Sequence, residues 1–166
     1  MSDGVEWVVH CCTLLAALPP GEALPAARLA EYHEVPPAYL AKHLQATTAA
    51  GITASVSGPK GGFRLARPAD EITLLDIVLA VDGDEAAFRC SEIRQRGPAA
   101  SEEPATYRRA CHIAAAMWRA EDAWRASLRE TTVADLFAGV VSTVPSEVLV
   151  AGADWINEVQ VRRRSR

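Results

Sequence analysis

No stretch of this chain is apolar for long enough to cross a bilayer. The longest near-apolar run, Val8–Leu18, is interrupted by His10 and falls well short of the ~20 residues a spanning helix needs. No secretory leader is legible, and the expectation is a cytoplasmic protein with no membrane partner. Cysteine is scarce, four in 166 residues, which in that compartment means thiols or metal ligands and not structural disulfides. The Gly-x4-Gly-Lys-Ser/Thr spacing is absent, which argues against a nucleotide phosphate loop. No acid–base dyad and no Ser–His–Asp set can be read, so an enzyme is not expected. One more lack is local: Asp and Glu are missing from Val35 to Ala69, although the whole chain holds 21 of them.

Inside that window Lys42, Lys60, Arg64 and Arg67 add four positive charges to a chain whose net charge is −4, so the remainder carries −8. A cationic module in an acidic protein is the footprint of a polyanion contact, because each Lys or Arg set against a phosphate releases counterions. The same window holds two β-biased runs, Thr53–Val56 and Phe63–Leu65, around a tip of Gly58, Pro59, Lys60, Gly61 and Gly62. Turn formers between extended segments are hairpin grammar. The plain alternative is a surface hairpin with incidental charge.

Two short helices precede the hairpin, Pro25–Glu34 with Leu29 inward and a second from Pro36-Pro37 to about Ala50, with Leu40 and Leu44 inward and Gly51 as its stop. The order helix, turn, helix, basic hairpin reads as a winged helix-turn-helix. In that arrangement the second helix enters the major groove of double-stranded DNA, and its polar side offers Tyr39, Lys42, His43 and Gln45, with Lys60 and Arg64 on the wing. A solvated helix face is the competing reading for any one of them.

Ahead of this module, a helix starting near Ser2 or Asp3 carries Val5, Val8, Val9, Cys12 and Leu15 at helical spacing. Behind it, Ile72–Asp82 repeats the apolar spacing and Gly83 closes it; Arg96–Pro104 is then rich in loop formers and lies between Cys90 and Cys111. A long helix from about Tyr107 to Glu130 follows, with Ile113, Met117, Trp124 and Leu128 on one stripe and Trp118 beside it. Such a helix needs something to pack on, and a second copy is the economical answer. Thr132 to Asp135 has capping-box spacing for a helix through Val141, Ser146–Val159 is a further helical segment, and Arg162–Arg166 is expected to be a disordered basic tail. The fold class is thus mainly α with a small β-wing and a long dimerisation helix.

Tyr39-Leu-Ala-Lys-His-Leu44, Gly58-Pro-Lys-Gly-Gly-Phe-Arg-Leu-Ala-Arg-Pro68 and Glu71-Ile-Thr-Leu-Leu-Asp-Ile-Val78 closely resemble the Rrf-type bacterial transcription regulators. That winged-helix group contains the iron–sulfur regulator IscR and the nitric-oxide sensor NsrR. The resemblance runs from the N-terminal helix to about Phe137. It implies a homodimer crossed by its long helices, bound to a dyad-related operator. It also divides the chain into a DNA-binding domain (1–83), a cluster-binding loop (84–106), dimerisation helices (107–141) and a C-terminal segment (142–166).

Sensing members typically hold an iron–sulfur cluster on three closely spaced cysteines before the long helix. This chain has only Cys90 and Cys111 there, 21 residues apart, with Cys11 and Cys12 on the first helix. Two thiolates suit a 2Fe–2S cluster whose second iron takes non-sulfur ligands. Likeness to an actinobacterial redox-sensing branch implies Cys90 and Cys111 from one subunit with Glu6 and His10 from the other; Glu6 and His10 sit four apart on one helix. Other readings stay open. Glu6 could belong to a capping box with Asp3, His10 could be an ordinary interhelical donor, and His33 or His112 could replace it. Cys111 would gain support from a place in the first turn of the long helix, and Cys11 and Cys12 read as small buried hydrophobes. Nitric-oxide response, a cluster-free regulator, and an iron–sulfur electron carrier are the alternative functions.

Overall fold

The computed structural model describes residues 1–58 and 61–164. Among them run α1 (Asp3–Ala16), α2 (Ala26–Tyr32), α3 (Pro37–Ala49), α4 (Leu74–Asp82), α5 (His112–Glu130), α6 (Val133–Thr143) and α7 (Ser146–Arg164), with one antiparallel pair, β1 (Thr53–Val56) and β2 (Gly62–Leu65). The mainly helical class with a small wing is what the chain adopts. It forms two compact units, Met1–Gly83 together with the chain from Arg129 onward, and Asp84–Leu128. No helix among the described residues is long and apolar enough to cross a membrane.

In the larger unit α1 lies between two apolar clusters. Its neighbouring cysteines enter different ones: Cys11 joins Leu15, Leu24, Leu29, Leu40 and Leu44, while Cys12 joins Val8, Ile52, Ile72, Ile77 and Val133. Each fully buried Leu or Ile contributes about 1.5–3 kcal/mol of transfer free energy. The helix-turn-helix is set by chain reversals that satisfy orphan carbonyls. After α2, the Val35 N–H donates to the Ala30 carbonyl (3.0 Å) across Glu34, whose φ is +52°. That left-handed residue and the N-cap Pro25 make α2 shorter than the Pro25–Glu34 expected. After α3, the N–H groups of Gly51 and Ile52 donate to Thr48 and Thr47 (3.1 and 2.9 Å), closing the helix as a glycine stop does.

The wing pairs Thr53 with Leu65 and Val56 with Gly62, and Leu24 adds a bridge to Phe63 through two backbone hydrogen bonds of 2.9 and 2.7 Å. Gly62 (φ +150°) permits this approach, since a Cβ there would run into the Leu24 backbone. A capping box of Thr73 and Asp76 starts α4, and another of Thr132 and Asp135 starts α6 at the predicted place. At the chain's end α7 continues to Arg164 where irregular structure was expected; Ser165 and Arg166 lie outside the described residues.

The smaller unit contrasts with this. The long helix begins at His112 and not near Tyr107, because Pro104–Tyr107 forms a 3-10 turn whose tyrosine is tied back to the preceding loop. That loop is also less structureless than expected, with a second 3-10 turn at Ile93–Gln95. Along α5 the one buried residue is Ala114, while Ile113, Met117, Trp118 and Trp124 are exposed.

Candidate nucleic-acid interface and metal-donor pairs

The α3 helix is fixed by Leu40, Leu44 and Thr47, all fully buried, which leaves Tyr39, Lys42 and Gln45 exposed on its other side. Arg64 is exposed in the middle of β2, opposite Ala54. Neither Lys42 nor Arg64 enters an ion pair among the described residues, so both charges face solvent. Lys60 lies outside the described residues.

Two basic or polar positions are used differently from the expectation. Arg67 is drawn into an ion pair with Asp76 (2.8 Å), which takes its charge out of the wing's cationic face. His43 is half-buried and packs edge-on to Trp7, 6.3 Å between centroids, and a Cβ on Gly4 would fall 2.5 Å from its Nε2. It spans α3 to α1 instead of joining the open polar side.

On α1, Glu6 and His10 are exposed one turn apart and line a small cavity of about 230 Å³ with Trp7, His33 and Val35. The N-cap is Ser2, whose N–H and hydroxyl donate to Asp82, so Glu6 takes no part in a capping box. The His10 and His33 rings are 5.6 Å apart. His33 Nε2 is buried with no hydrogen-bond partner, and burial, then the neighbouring His10, lowers the His33 pKa. Both imidazoles also edge a larger apolar cavity of about 550 Å³ walled by α6 and α7.

The other pair lies in the smaller unit. Cys90 and Cys111 are free thiols, each half-buried. Cys111 occupies the N-cap position of α5: its carbonyl accepts from Ala115 (2.9 Å) and its sulfur from Ala114 (3.2 Å). The helix macrodipole favours negative charge there. Cys90 donates to Glu92 Oε1 (3.8 Å). By contrast, burial pushes the thiols of Cys11 and Cys12 up to about 12, which leaves them as packing groups. His112, beside Cys111, is exposed.

Sequence reasoning missed the group that ties together the chain flanking the two half-buried thiols. Arg94 donates from Nε and Nη2 to the Glu92 carboxylate (3.0 and 2.7 Å) and from Nη2 to the Arg109 carbonyl (3.1 Å). Its guanidinium stands 5.6 Å from the Tyr107 ring centroid. Only the closeness of Glu92 and Arg94 in sequence hinted at this, and many surface pairs look the same.

Thiol, carboxylate and imidazole are donor types that an iron–sulfur cluster with a two-plus-two division takes. The two thiols stand at either flank of the loop that Arg94 clasps, and the carboxylate and imidazole one turn apart on α1 near the orphaned His33 nitrogen. No group of three or more His, Cys, Asp or Glu among the described residues could hold a metal ion by itself. The two pairs lie in different units.

Comparison with known proteins agrees with the helix-turn-helix and wing. Residues 1–139 match the family model Rrf2, described as iron-dependent transcriptional regulator. YwgB of Bacillus subtilis, a candidate HTH-type transcriptional regulator, is 29% identical over 133 residues, 80% of this chain and 81% of that protein. The fold is similar to that of CymR, the global cysteine regulator of B. subtilis (TM-score 0.63, 24% identity, 83% of this chain and 95% of that one). It is also similar to IscR of T. potens (TM-score 0.65, 18% identity, 88% and 91%). A chain matched over most of its length by that model, with a winged helix-turn-helix and no enzyme among these relatives, belongs to the Rrf2 family of DNA-binding transcriptional regulators.

Proposed function

We propose that the protein is a homodimeric transcription regulator that binds a dyad-symmetric double-stranded operator and senses redox state through a 2Fe–2S cluster shared between subunits. Cys90 and Cys111 of one subunit and Glu6 and His10 of the other would hold it. The observation that carries the reading is the pairing of donors: two half-buried thiols in one unit, a carboxylate and an imidazole one turn apart in the other, and no threefold set within the described chain. The stretches Gly4-Val-Glu-Trp-Val-Val-His10-Cys-Cys12 and Phe88-Arg-Cys-Ser-Glu-Ile-Arg-Gln-Arg-Gly97 resemble the actinobacterial redox regulator RsrR, and the assignment of the four ligands rests on that likeness as well.

A bound cluster of this kind supplies a one-electron change of charge at the site. The chain supplies the route from α1 to DNA. Glu6 and His10 share a helix with Cys11 and Leu15, which pack in one cluster with Leu40 and Leu44 of α3. His43 adds a second link, from α3 to Trp7 and Gly4. A displacement of α1 therefore reaches the reading helix through a shared core, and half-site spacing on an operator makes small rotations costly. Tyr39, Lys42 and Gln45 would meet base edges, with Arg64 and Lys60 on phosphates; His43 positions the helix.

Fluorescence anisotropy on operator DNA, with oxidised and dithionite-reduced protein, tests this together with iron and sulfide content. The expected result is about two irons and two sulfides per protomer and a roughly 5–150-fold difference in affinity between the redox states. Arg64→Ala should reduce the salt slope by about one, and Lys42→Ala should relax base specificity at the position it reads. Equal affinity in both states removes the redox mechanism. A second reading, a cluster-free member responding through its thiols, rests on Cys90 and Cys111 being free and half-buried; colourless, iron-free protein prepared without oxygen would select it.

A further inference from the structure

We propose that Arg94 is the positioning residue that makes one site out of Cys90 and Cys111. The inference rests on the cluster reading above only for its purpose; the geometry stands without it.

Two cysteines 21 residues apart in a segment with almost no apolar core have no packing to bring them together. The closure is polar. Glu92 takes a left-handed conformation (φ +48°), which a non-glycine residue adopts only when held there. In that turn its carboxylate accepts from the Cys90 thiol (3.8 Å) on one side and from Arg94 on the other. The same Arg94 Nη2 reaches the Arg109 carbonyl (3.1 Å), two residues before Cys111. The backbone of Arg94 is fastened too: the Tyr107 hydroxyl donates to its carbonyl (3.1 Å) and accepts from the Ser101 N–H. One planar side chain thus grips both flanks of the loop, a task that needs the rigid fork of a guanidinium. The nearby Arg96 reaches only the Ser91 carbonyl, at 3.5 Å.

Charge adds to position. The Glu92 hydrogen bond first, and then the fields of Glu92, Cys111 and Cys90, raise the Arg94 pKa, so the guanidinium stays a permanent cation.

The test uses the full-length reduced protein without iron and phenylarsine oxide as probe. Two thiols within reach convert the arsenic–oxygen bond into two arsenic–sulfur bonds with release of one water, so affinity reports the preorganisation of the pair. Cys11 and Cys12 are fully buried and do not compete. Wild type should bind one equivalent, and Cys90→Ser or Cys111→Ser should abolish retention. Arg94→Gln should weaken binding at least tenfold. Arg94→Lys should fail to restore it, because an ammonium cannot span Glu92 and the Arg109 carbonyl together. In cluster-loaded protein Arg94→Gln should also move the midpoint potential to more negative values. Arg94→Gln with wild-type arsenical affinity overturns the proposal. Arg94-dependent arsenical binding in a protein that never acquires iron upholds it while removing the cluster reading.

Discussion

The two compact units of this chain hold their shape by different means. In the larger one, α1 is surrounded by fully buried leucines, isoleucines and valines, and polar contacts cap helices and tie the wing to α4 through Arg67 and Asp76. In Asp84–Leu128 the one buried hydrophobic residue is Ala114, while two tryptophans and a methionine of α5 stay exposed and a carboxylate–guanidinium–tyrosine cluster shapes the loop. The first unit is specified by its own burial. The second leaves large apolar side chains of α5 uncovered and takes its shape from polar contacts.

This contrast breaks most visibly under large-to-small substitution. Leu40→Ala should cost about 2–5 kcal/mol in urea-monitored stability. Trp118→Ala on the exposed face of α5 should leave the protomer within ~0.5 kcal/mol yet raise the dissociation constant of the proposed dimer roughly thirtyfold or more, read by sedimentation, as an interface hot spot does. Equal effects of both variants on protomer stability would erase the distinction between the units.

Acid sharpens it less strongly. Burial alone would raise the Asp76 carboxyl, but hydrogen bonds from Thr73 and the Arg67 guanidinium hold it below the ordinary value of 3.8. Its folded-state pKa is depressed, so the stabilisation is present above about 3.8 and is lost as pH falls through the folded value. Asp76→Asn should therefore flatten the acid limb of the stability curve, followed by circular dichroism from pH 7 to 2. The smallest expected effect is a gain. Glu34→Gly relieves a left-handed residue at the α2 stop and should add about 0.5–1 kcal/mol after the entropy of glycine is set against the strain.

Much of the larger unit was legible because local rules decide it. The apolar stripe of α1, the glycine stop after α3, the hairpin and the Thr132–Asp135 box all follow from residues within a few positions of each other. What escaped was tertiary. Leu24 joins the wing as a single bridged residue with no alternation to announce it. Arg67 looked like part of a cationic face until Asp76 claimed it, and His43 looked solvent-facing until Trp7 and Gly4 were found beside it. Of the candidate site, the residue types were visible in sequence, but the clasp of Glu92, Arg94 and Tyr107 depends on a left-handed turn that composition does not encode.

Subunit complementation tests the central claim most directly. One protomer would carry Cys90→Ser with Cys111→Ser, the other Glu6→Ala with His10→Ala, and the mixed dimer would be isolated by two affinity tags. Ligands drawn from both subunits leave one intact site in that dimer, so the visible spectrum and about half the wild-type iron and sulfide should return. Two inactive homodimers that stay colourless when combined would contradict a shared site.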